Sequence, residues 1–323
     1  MPTSHATAEA VRISVIIPTY NAGPEFEVVL RKLSGQSIKP LEIIVVDSSS
    51  SDGTAENARK AGARVFTIPQ SEFDHGGTRN FAAEQAKGEI LVFMTQDAIP
   101  KDDRLLEKLT APFADGLVAG VYAKQEARSD AAILEKLTRS FNYPDESMRK
   151  GRSELPLLGI RTFFFSNVCS AVRRDVFFDV GRFPQPVIFN EDMSMAAKCI
   201  FNNYELIYQA EAVVIHSHNY SLSQQFRRYF DNGVSMYHND WIYAYSKVGK
   251  AGSKLVKSLV AALHRQRKWH LIPLLIAESA AKLVGYQLGK RYRMLPRSLR
   301  IRFSMHRKMW DKLQSGRGVT VQS

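Results

Sequence analysis

Cysteine is scarce in this sequence, and its scarcity argues against a protein stabilised by disulfide bonds. Only two cysteines, Cys169 and Cys199, occur among 323 residues. Both lie in apolar or helical contexts, so buried free thiols in a reducing compartment explain them better than a disulfide framework does. The first twelve residues contain no apolar run and no basic segment ahead of one, and we therefore expect no secretory signal. With 45% apolar and 24% charged residues, the composition is that of a globular protein.

Acidic residues are nearly absent from the last quarter of the chain. Residues 247–323 contain 18 lysines and arginines but only two acids, whereas the residues before them are mildly acidic. We predict a flexible N-terminus at 1–11, one domain at 12–245 and a basic amphipathic helical tail at 246–323. Such charge asymmetry favours an anionic partner for the tail.

Two anionic partners fit this tail, a membrane surface and a nucleic acid. Aromatic residues lie between its basic residues, as they do in many nucleic-acid binders. However, Leu255, Leu259 and Leu263 form an apolar stripe at helical spacing beside basic residues, and this pattern favours an anionic membrane. We therefore expect membrane binding and no nucleic acid; a solvated helical cap on the domain is the alternative.

Long hydrophobic runs are also few. The most apolar one, at 271–288, approaches the length of a spanning helix but contains Pro273, Glu278 and Lys282. Each charge at mid-bilayer costs about 2.5–3.5 kcal/mol. We therefore predict an interfacial or docked helix rather than a transmembrane span.

The first third of the chain alternates apolar strands with helical stretches. Strands are predicted at 13–17, 41–46, 64–68 and 90–94, with helices between them. This alternation predicts a parallel sheet with helices on both faces. In such sheets ligands bind at the carboxyl edge of the strands.

Polar residues follow three of these strands and would meet at that edge. The strand ends are Pro18, Thr19 and Tyr20 after the first strand, Asp47 after the second, and Gln96 and Asp97 after the fourth. Three polar ends at one edge predict a binding site rather than ordinary polar loops.

Five segments in this order resemble the family-2 glycosyltransferases: "ISVIIPTYN", "EIIVVDSSSSDGT", "GGTRNFAAEQAKGEILVF", "TQDA" and "NED". The resemblance covers about residues 12–235. "FDHGGTRN" and the tail segment "KLVGYQLGKRYRMLP" are more narrowly similar to bacterial rhamnosyltransferases that use dTDP-L-rhamnose. The resemblance implies an α/β fold of the GT-A nucleotide-diphospho-sugar transferase type, with a mostly parallel central sheet flanked by helices. It also implies an inverting mechanism and a divalent cation, magnesium or manganese.

The resemblance also implies roles for individual residues. Asp47 would accept a hydrogen bond from the base, Asp97 would be a metal ligand, and Asp192 would be the catalytic base. Gln96 stands where Asp is common in the family, so one contact, to the ribose, would become neutral. The implied nucleotide-sugar site consists of Pro18, Thr19, Tyr20, Asp47, Arg79, Asn80 and Gln96.

A single carboxylate holds a divalent cation weakly, so we expect a second ligand from later in the chain. His218 is our choice and His216 is the alternative. Both are candidates because strand alternation places them on the same face. Imidazole suits manganese better than magnesium. The structural alternative is that one histidine packs inward and the other is solvated.

Other residues have open interpretations. Asn190 would be a good N-cap and acids suit the first turn of a helix, so Asp192 has a purely structural alternative. The pair Gly76–Gly77 beside Arg79 favours a flexible loop that folds over phosphate or base, and the alternative is a glycine-permitted turn before a helix. His75, Glu191 and Arg228 are possible contacts to the donor or the acceptor.

We therefore expect a cytoplasmic enzyme that is peripheral on the inner face of the cell membrane. It would move L-rhamnose from dTDP-L-rhamnose onto a saccharide or lipid-linked saccharide in surface-polysaccharide (O-antigen) biosynthesis. The alternatives are a UDP-hexose donor on the same fold, and a catalytically silent sugar-nucleotide domain with a tail that binds nucleic acid or membrane.

Overall fold

A nine-stranded mixed sheet with helices on both faces forms the core of the chain. The computed structural model describes residues 11–245 and 250–315. The strands are β1 Ile13–Thr19, β2 Glu42–Asp47, β3 Arg64–Thr67, β4 Ile90–Met94, β5 Ile99–Pro100, β6 Val118–Glu126, β7 Met148–Lys150, β8 Cys169–Arg173 and β9 Glu205–Ile215. The α-helices are α1 Glu25–Ser34, α2 Thr54–Lys60, α3 His75–Gln85, α4 Leu105–Thr110, α5 Ile133–Asn142, α6 Leu155–Leu158, α7 Arg174–Asp179, α8 Glu191–Phe201, α9 Leu222–His238, α10 Asp240–Tyr243, α11 Lys250–Arg265, α12 Ile272–Lys290, α13 Arg297–Phe303 and α14 Met309–Ser315.

The first half of the sheet is parallel, as the strand–helix alternation predicts. Its strands lie in the order β3-β2-β1-β4, and all three pairings between them are parallel. Every residue of β4 is buried, because helices cover both faces of a strand in this position. The register pairs Thr19 with Asp47, so the predicted strand ends do share one edge.

The second half of the sheet reverses direction. Strand β8 lies antiparallel to β4 and pairs Cys169 with Met94, so β8 begins at the edge where β4 ends. Four of the eight pairings among the described strands are antiparallel. The predicted mostly parallel sheet is therefore mixed: its first half is parallel throughout, whereas in the second half only β6 and β9 pair in parallel. Apolar runs alone do not reveal strand direction.

The helices of the C-terminal tail pack on the domain. The predicted boundary at 245–246 adjoins residues 246–249, which lie outside the described residues. Helix α12 crosses α9 at close range, because a Cβ at Gly289 would lie 2.1 Å from the carbonyl oxygen of Phe230 and one at Gly285 would lie 2.3 Å from that of Phe226. Glycines at such a crossing let two backbones approach. One face of α12 is thus docked, as predicted.

The other face of α12 remains apolar and exposed. By length and composition, 269–290 is the one helical segment of the described residues that could cross a membrane. Its outward side includes Ile276 and Leu283, which are 61% and 60% exposed. The docked side and the exposed side together make this helix a surface element of the domain.

Candidate active site

A cavity of about 550 Å³ opens at the carboxyl edge of the parallel strands. Residues from the ends of β1, β2 and β4 line one side, α3 and the segment before it line a second, and the C-terminal tail closes a third. The lining residues are Pro18, Thr19, Tyr20, Ser48, Gln70, Phe73, His75, Arg79, Thr95, Gln96, Met305, His306, Arg307, Lys308 and Met309.

Side-chain hydrogen bonds join the strand ends that form this cavity. The Thr19 hydroxyl donates to Asp47 Oδ1 at 2.9 Å. The Gln96 amide binds the Tyr20 backbone twice, accepting from its N–H at 2.8 Å and donating to its carbonyl at 3.2 Å. An aspartate in place of Gln96 could accept but not donate. Gln96 therefore orders the end of β1 against the end of β4 while it also lines the cavity.

Asp47 supports the cavity wall but does not line it. It is 1% exposed, and its carboxylate accepts hydrogen bonds from Thr19 and from both the N–H and the hydroxyl of Ser50. The next residue, Ser48, reaches the cavity instead. In this structure Asp47 shapes the turn after β2, whereas the sequence predicted a direct contact to the base.

The segment expected as a flexible glycine loop is the first part of helix α3. The Asp74 side chain caps this helix by accepting from Gly77 N–H at 2.6 Å. A Cβ at Gly76 would lie 2.0 Å from the carbonyl oxygen of Pro184. The prediction of a mobile loop is therefore wrong: glycine is required here for close packing, and the packing fixes Arg79 in place.

Asn80 also has a structural role. Its side chain is 4% exposed, and its amide exchanges hydrogen bonds with both the carbonyl and the N–H of Phe183. Those bonds tie α3 to the segment before α8. Asn80 is not among the residues that line the cavity, and its expected contact with the nucleotide stays a prediction.

Asp97, His216 and His218 form a cluster beside this cavity. The Nε2 atoms of His216 and His218 lie 3.5 Å and 3.3 Å from Asp97 Oδ2, and the three potential ligand atoms lie within 4.8 Å of one another. Strand β9 ends at Ile215, and the two histidines follow it with one residue between them. Since both face the carboxylate, the structure favours both as ligands rather than the choice of one.

The electrostatics of the cluster suit a divalent cation. Burial, followed by the charge of His216, lowers the pKa of His218 to about 4, so this imidazole is neutral at pH 7 and can bind metal. Burial opposes ionisation of Asp97, but the hydrogen bond and charge of His216 hold its pKa well below the ordinary value. The Gln125 amide oxygen lies 3.2 Å from His216 Nδ1. Such a contact leaves Nε2 free to be the ligand.

Asp192 lies in the first turn of α8 within a second charged group. Its Oδ2 accepts from the N–H of Asn167 at 3.2 Å, and the Asn167 side chain donates to Glu191 at 3.1 Å. Arg79 NH1 lies 3.2 Å from Glu191, so the possible substrate contact Glu191 is paired with α3. Burial, followed by the charge of Glu191, raises the pKa of Asp192 to about 7.

The simple capping interpretation of this turn does not hold for Asn190. Asn190 has a positive φ of 63° and makes no side-chain cap; its amide instead donates to Asn232 at 3.0 Å. A left-handed residue at the start of a helix is an uncommon conformation. It aims the following two acids toward the sheet edge.

Backbone bonds connect the Asp97 cluster to Asp192. Thr95, two residues before Asp97, donates its N–H to the carbonyl of Val168 at 3.1 Å. The adjacent Asn167 holds Asp192. The cluster and the acid therefore lie at the same edge of the sheet, on neighbouring strand ends.

Comparisons of the chain with known protein families and proteins agree with this geometry. The model for "Glycosyl transferase family 2" matches residues 14–181. The chain belongs to this family. The glycosyltransferase is 40% identical over 307 residues to the O-antigen chain rhamnosyltransferase RfbN of Salmonella typhimurium, covering 94% of this chain and 98% of the relative. It is also 40% identical to the O-antigen chain rhamnosyltransferase WbaN of Salmonella anatum, covering 93% and 96% of the two chains.

Solved structures confirm the predicted GT-A fold of the glycosyltransferase. A mannosyltransferase from Pyrobaculum calidifontis, solved in complex with GDP-Man and Mn2+, matches with a TM-score of 0.58 at 21% identity and covers 94% of this chain and 89% of its own. The first 349 residues of S. aureus TarS match with a TM-score of 0.52 at 19% identity, covering 88% and 92%.

Sequence reasoning missed part of the glycosyltransferase site. His75 lines the cavity, and the Arg228 guanidinium lies 4.7 Å from the centre of the Phe189 ring; contacts of either residue with the donor or the acceptor stay predictions. Asn167 and Gln125, which hold Asp192 and His216, carried no recognisable signal. Residues 305–309 line the cavity although none of them belongs to a quoted motif.

Proposed function

We propose that this glycosyltransferase moves L-rhamnose from dTDP-L-rhamnose onto a saccharide or lipid-linked saccharide acceptor during O-antigen biosynthesis, with inversion at the transferred carbon. The observation that carries the proposal is the meeting of the cavity, the Asp97 cluster and Asp192 at one sheet edge. Identity of 40% along almost the whole chain to two proteins named O-antigen chain rhamnosyltransferases supports the choice of sugar.

In this proposal Asp192 is the general base. Its carboxylate accepts the proton of an acceptor hydroxyl, whose oxygen forms the new bond to the anomeric carbon. The bond from that carbon to the diphosphate oxygen breaks on the opposite face, and the nucleoside diphosphate leaves with the electron pair. The two N–H groups of Asn167 and Met193 hold the carboxylate in place.

The cluster of Asp97, His216 and His218 would hold the divalent cation. One carboxylate and two imidazoles form a donor set that suits manganese at least as well as magnesium. When bound, the cation would neutralise charge on the diphosphate. On the protein side, Gln125 orients His216, and Arg79 pairs with Glu191 next to the proposed base.

The donor assignment predicts a selective reaction. With the full-length chain, Mn²⁺ and an undecaprenyl-linked oligosaccharide extract as acceptor, dTDP-L-rhamnose should give a product that is one deoxyhexose heavier by mass spectrometry. UDP-glucose and GDP-mannose should give at least tenfold less product, on the order of the discrimination expected from lost contacts at one sugar and one base. Faster transfer from a UDP-hexose would replace the donor in this proposal and leave the fold and the enzyme class standing.

We also propose that the tail docks the enzyme on the inner face of the cell membrane, where a lipid-linked acceptor would lie. The exposed side of α12 carries Ile276 and Leu283, and exposed Trp269 follows the basic pair Arg265 and Arg267 at the turn from α11. Apolar and aromatic groups beside basic ones suit an anionic lipid surface.

The membrane proposal predicts an effect of two apolar side chains. In flotation assays with phosphatidylglycerol vesicles, I276S/L283S should bind at least about 100-fold more weakly than the unsubstituted chain, since two buried aliphatic side chains at about 1.5–3 kcal/mol each contribute about 3–6 kcal/mol. The matched control is L157S, because Leu157 is 85% exposed and lies outside the tail. Equal binding by the double variant and this control would remove the docking face from the proposal.

A further inference from the structure

Five consecutive residues of the C-terminal tail form one wall of the cavity. Residues 305–309 line it together with strand-end residues such as Pro18 and Gln96. They lie well beyond residue 181, where the match to the family model ends, so the family match does not describe this part of the cavity. This wall belongs to the tail that the sequence assigned to the membrane alone.

Strong internal contacts hold the wall in position. The Asp231 carboxylate on α9 is 1% exposed, and its Oδ2 accepts from the N–H groups of Met305 at 2.8 Å and His306 at 3.3 Å. On the other side of the segment, Met309 and Trp310 are 3% and 2% exposed in a cluster with Phe230. A segment fixed at both ends presents its side chains to the cavity at low entropic cost.

The wall carries positive charge, and the cavity lining also contains buried polar atoms without a hydrogen-bond partner among the described residues. Arg307 is exposed at the cavity, and within 11–245 and 250–315 no carboxylate pairs with it. Three other lining residues each contain a buried polar atom without a hydrogen bond to any described residue: Ser48 Oγ, His75 Nε2 and Arg79 Nε. Buried polar atoms without partners are uncommon in folded proteins, and these three belong to the lining of one cavity. Their arrangement fits a polar, anionic ligand.

The imidazole ring of His306 in the wall packs against that of His75 in α3. His75 and His306 pack edge to face with their centroids 4.7 Å apart. Burial lowers the pKa of each to about 3, so both are neutral at pH 7 and the cationic groups of the wall are Arg307 and Lys308. Since Lys308 donates to Gln70, Arg307 is the side chain available to a ligand.

We propose that the tail segment 305–309 completes the donor site, with Arg307 contacting the diphosphate of the bound nucleotide and Asp231 positioning the segment. This inference rests on the proposed function, because it requires a nucleoside diphosphate in the cavity. It gives the basic tail a second task besides membrane docking.

Titration calorimetry with dTDP and with UDP, each at saturating Mn²⁺, tests the contact. For the tighter of the two nucleotides, Arg307→Gln should raise the dissociation constant about fivefold, as for a partly exposed charge pair. The matched control is Arg302→Gln, which makes the same change at an exposed tail arginine outside the cavity lining and should stay within about twofold. Equal constants for the two variants overturn the inference alone. Failure of both nucleotides to bind the unsubstituted chain sinks the proposed function, and the inference with it.

Asp231→Asn tests the positioning role separately. Burial raises the pKa of Asp231 to about 7, so the comparison is made at pH 8, where the carboxylate is ionised. The amide keeps the shape of the side chain but lacks the charge that attracts two N–H groups, so the donor KM should rise about threefold while kcat stays unchanged. Thermal unfolding of the same variant reports any loss of stability. A lower melting temperature with an unchanged donor KM would show a structural role only and contradict the positioning role.

Discussion

Replacing Asp192 with asparagine is expected to lower kcat for sugar transfer by about 10²- to 10⁴-fold, the usual contribution of a general base. Asparagine is nearly isosteric, although its single amide oxygen can accept from only one of the N–H groups of Asn167 and Met193, which bind different carboxylate oxygens. Since neither bond involves the donor, donor affinity should change less than about twofold. Initial rates and donor titrations on the same preparation measure both quantities. The control is Asp240→Asn, the same change at an exposed acid of α10, which should leave both unchanged.

The pH dependence of the unsubstituted enzyme provides a second measurement of the same residue. Burial and Glu191 raise the pKa of Asp192 to about 7, and only the ionised carboxylate can accept a proton. The rate constant kcat should therefore increase about tenfold per pH unit below pH 7 and level off above it. An Asp192→Asn variant with unchanged kcat, or a flat profile between pH 5 and pH 8, would contradict the assignment of the base.

Removing ligands from the Asp97 cluster is expected to have the other large effect. His216→Ala, His218→Ala and Asp97→Ala should each weaken Mn²⁺ binding in the presence of dTDP by at least 10- to 100-fold, since changes one contact further from a metal already have that effect. Gln125→Ala removes no ligand but takes away the partner of His216, together with hydrogen bonds to Tyr143, Ser166 and Arg139, and should fall at the low end of this range. Electron paramagnetic resonance of free Mn²⁺ measures the binding without requiring turnover.

A histidine in the tail provides a control that distinguishes the loss of a metal ligand from a general disturbance of the structure. His270 is exposed and lies far along the chain from the cluster, so His270→Ala should bind Mn²⁺ normally. If His216→Ala and His218→Ala also bound Mn²⁺ normally, Asp97 would be the single protein ligand of the three and the histidines would only finish strand β9. Loss with one histidine alone would restore the narrower prediction from the sequence.

The parts of the fold that sequence predicts best are those set by local pattern. Apolar runs such as β4 must be buried on both faces, and this requirement fixes the parallel half of the sheet and the edge where Thr19 and Asp97 meet. Strand direction in the second half depends on long-range pairing, such as that of Cys169 with Met94, which leaves no local signal. For the same reason Asn167 and Gln125 could not be predicted.

The glycines show how a correct residue can be given the wrong physical role. Glycine next to glycine usually predicts a mobile turn, but Gly76 lies where a side chain would clash with Pro184. Only tertiary structure distinguishes glycine needed for freedom from glycine needed for space. Likewise the basic charge of the tail was visible in the sequence, whereas the fold of residues 305–309 over the cavity was not.

The location of bound Mn²⁺ and nucleotide tests the central claim most directly. Anomalous diffraction from crystals grown with dTDP and Mn²⁺ should show one strong peak within coordination distance of Asp97 and both histidines, with the diphosphate beside it in the strand-end cavity. Metal and nucleotide bound together at any other surface, with that cavity empty at saturating ligand, would mean that the meeting of these residues at one edge has no part in donor binding.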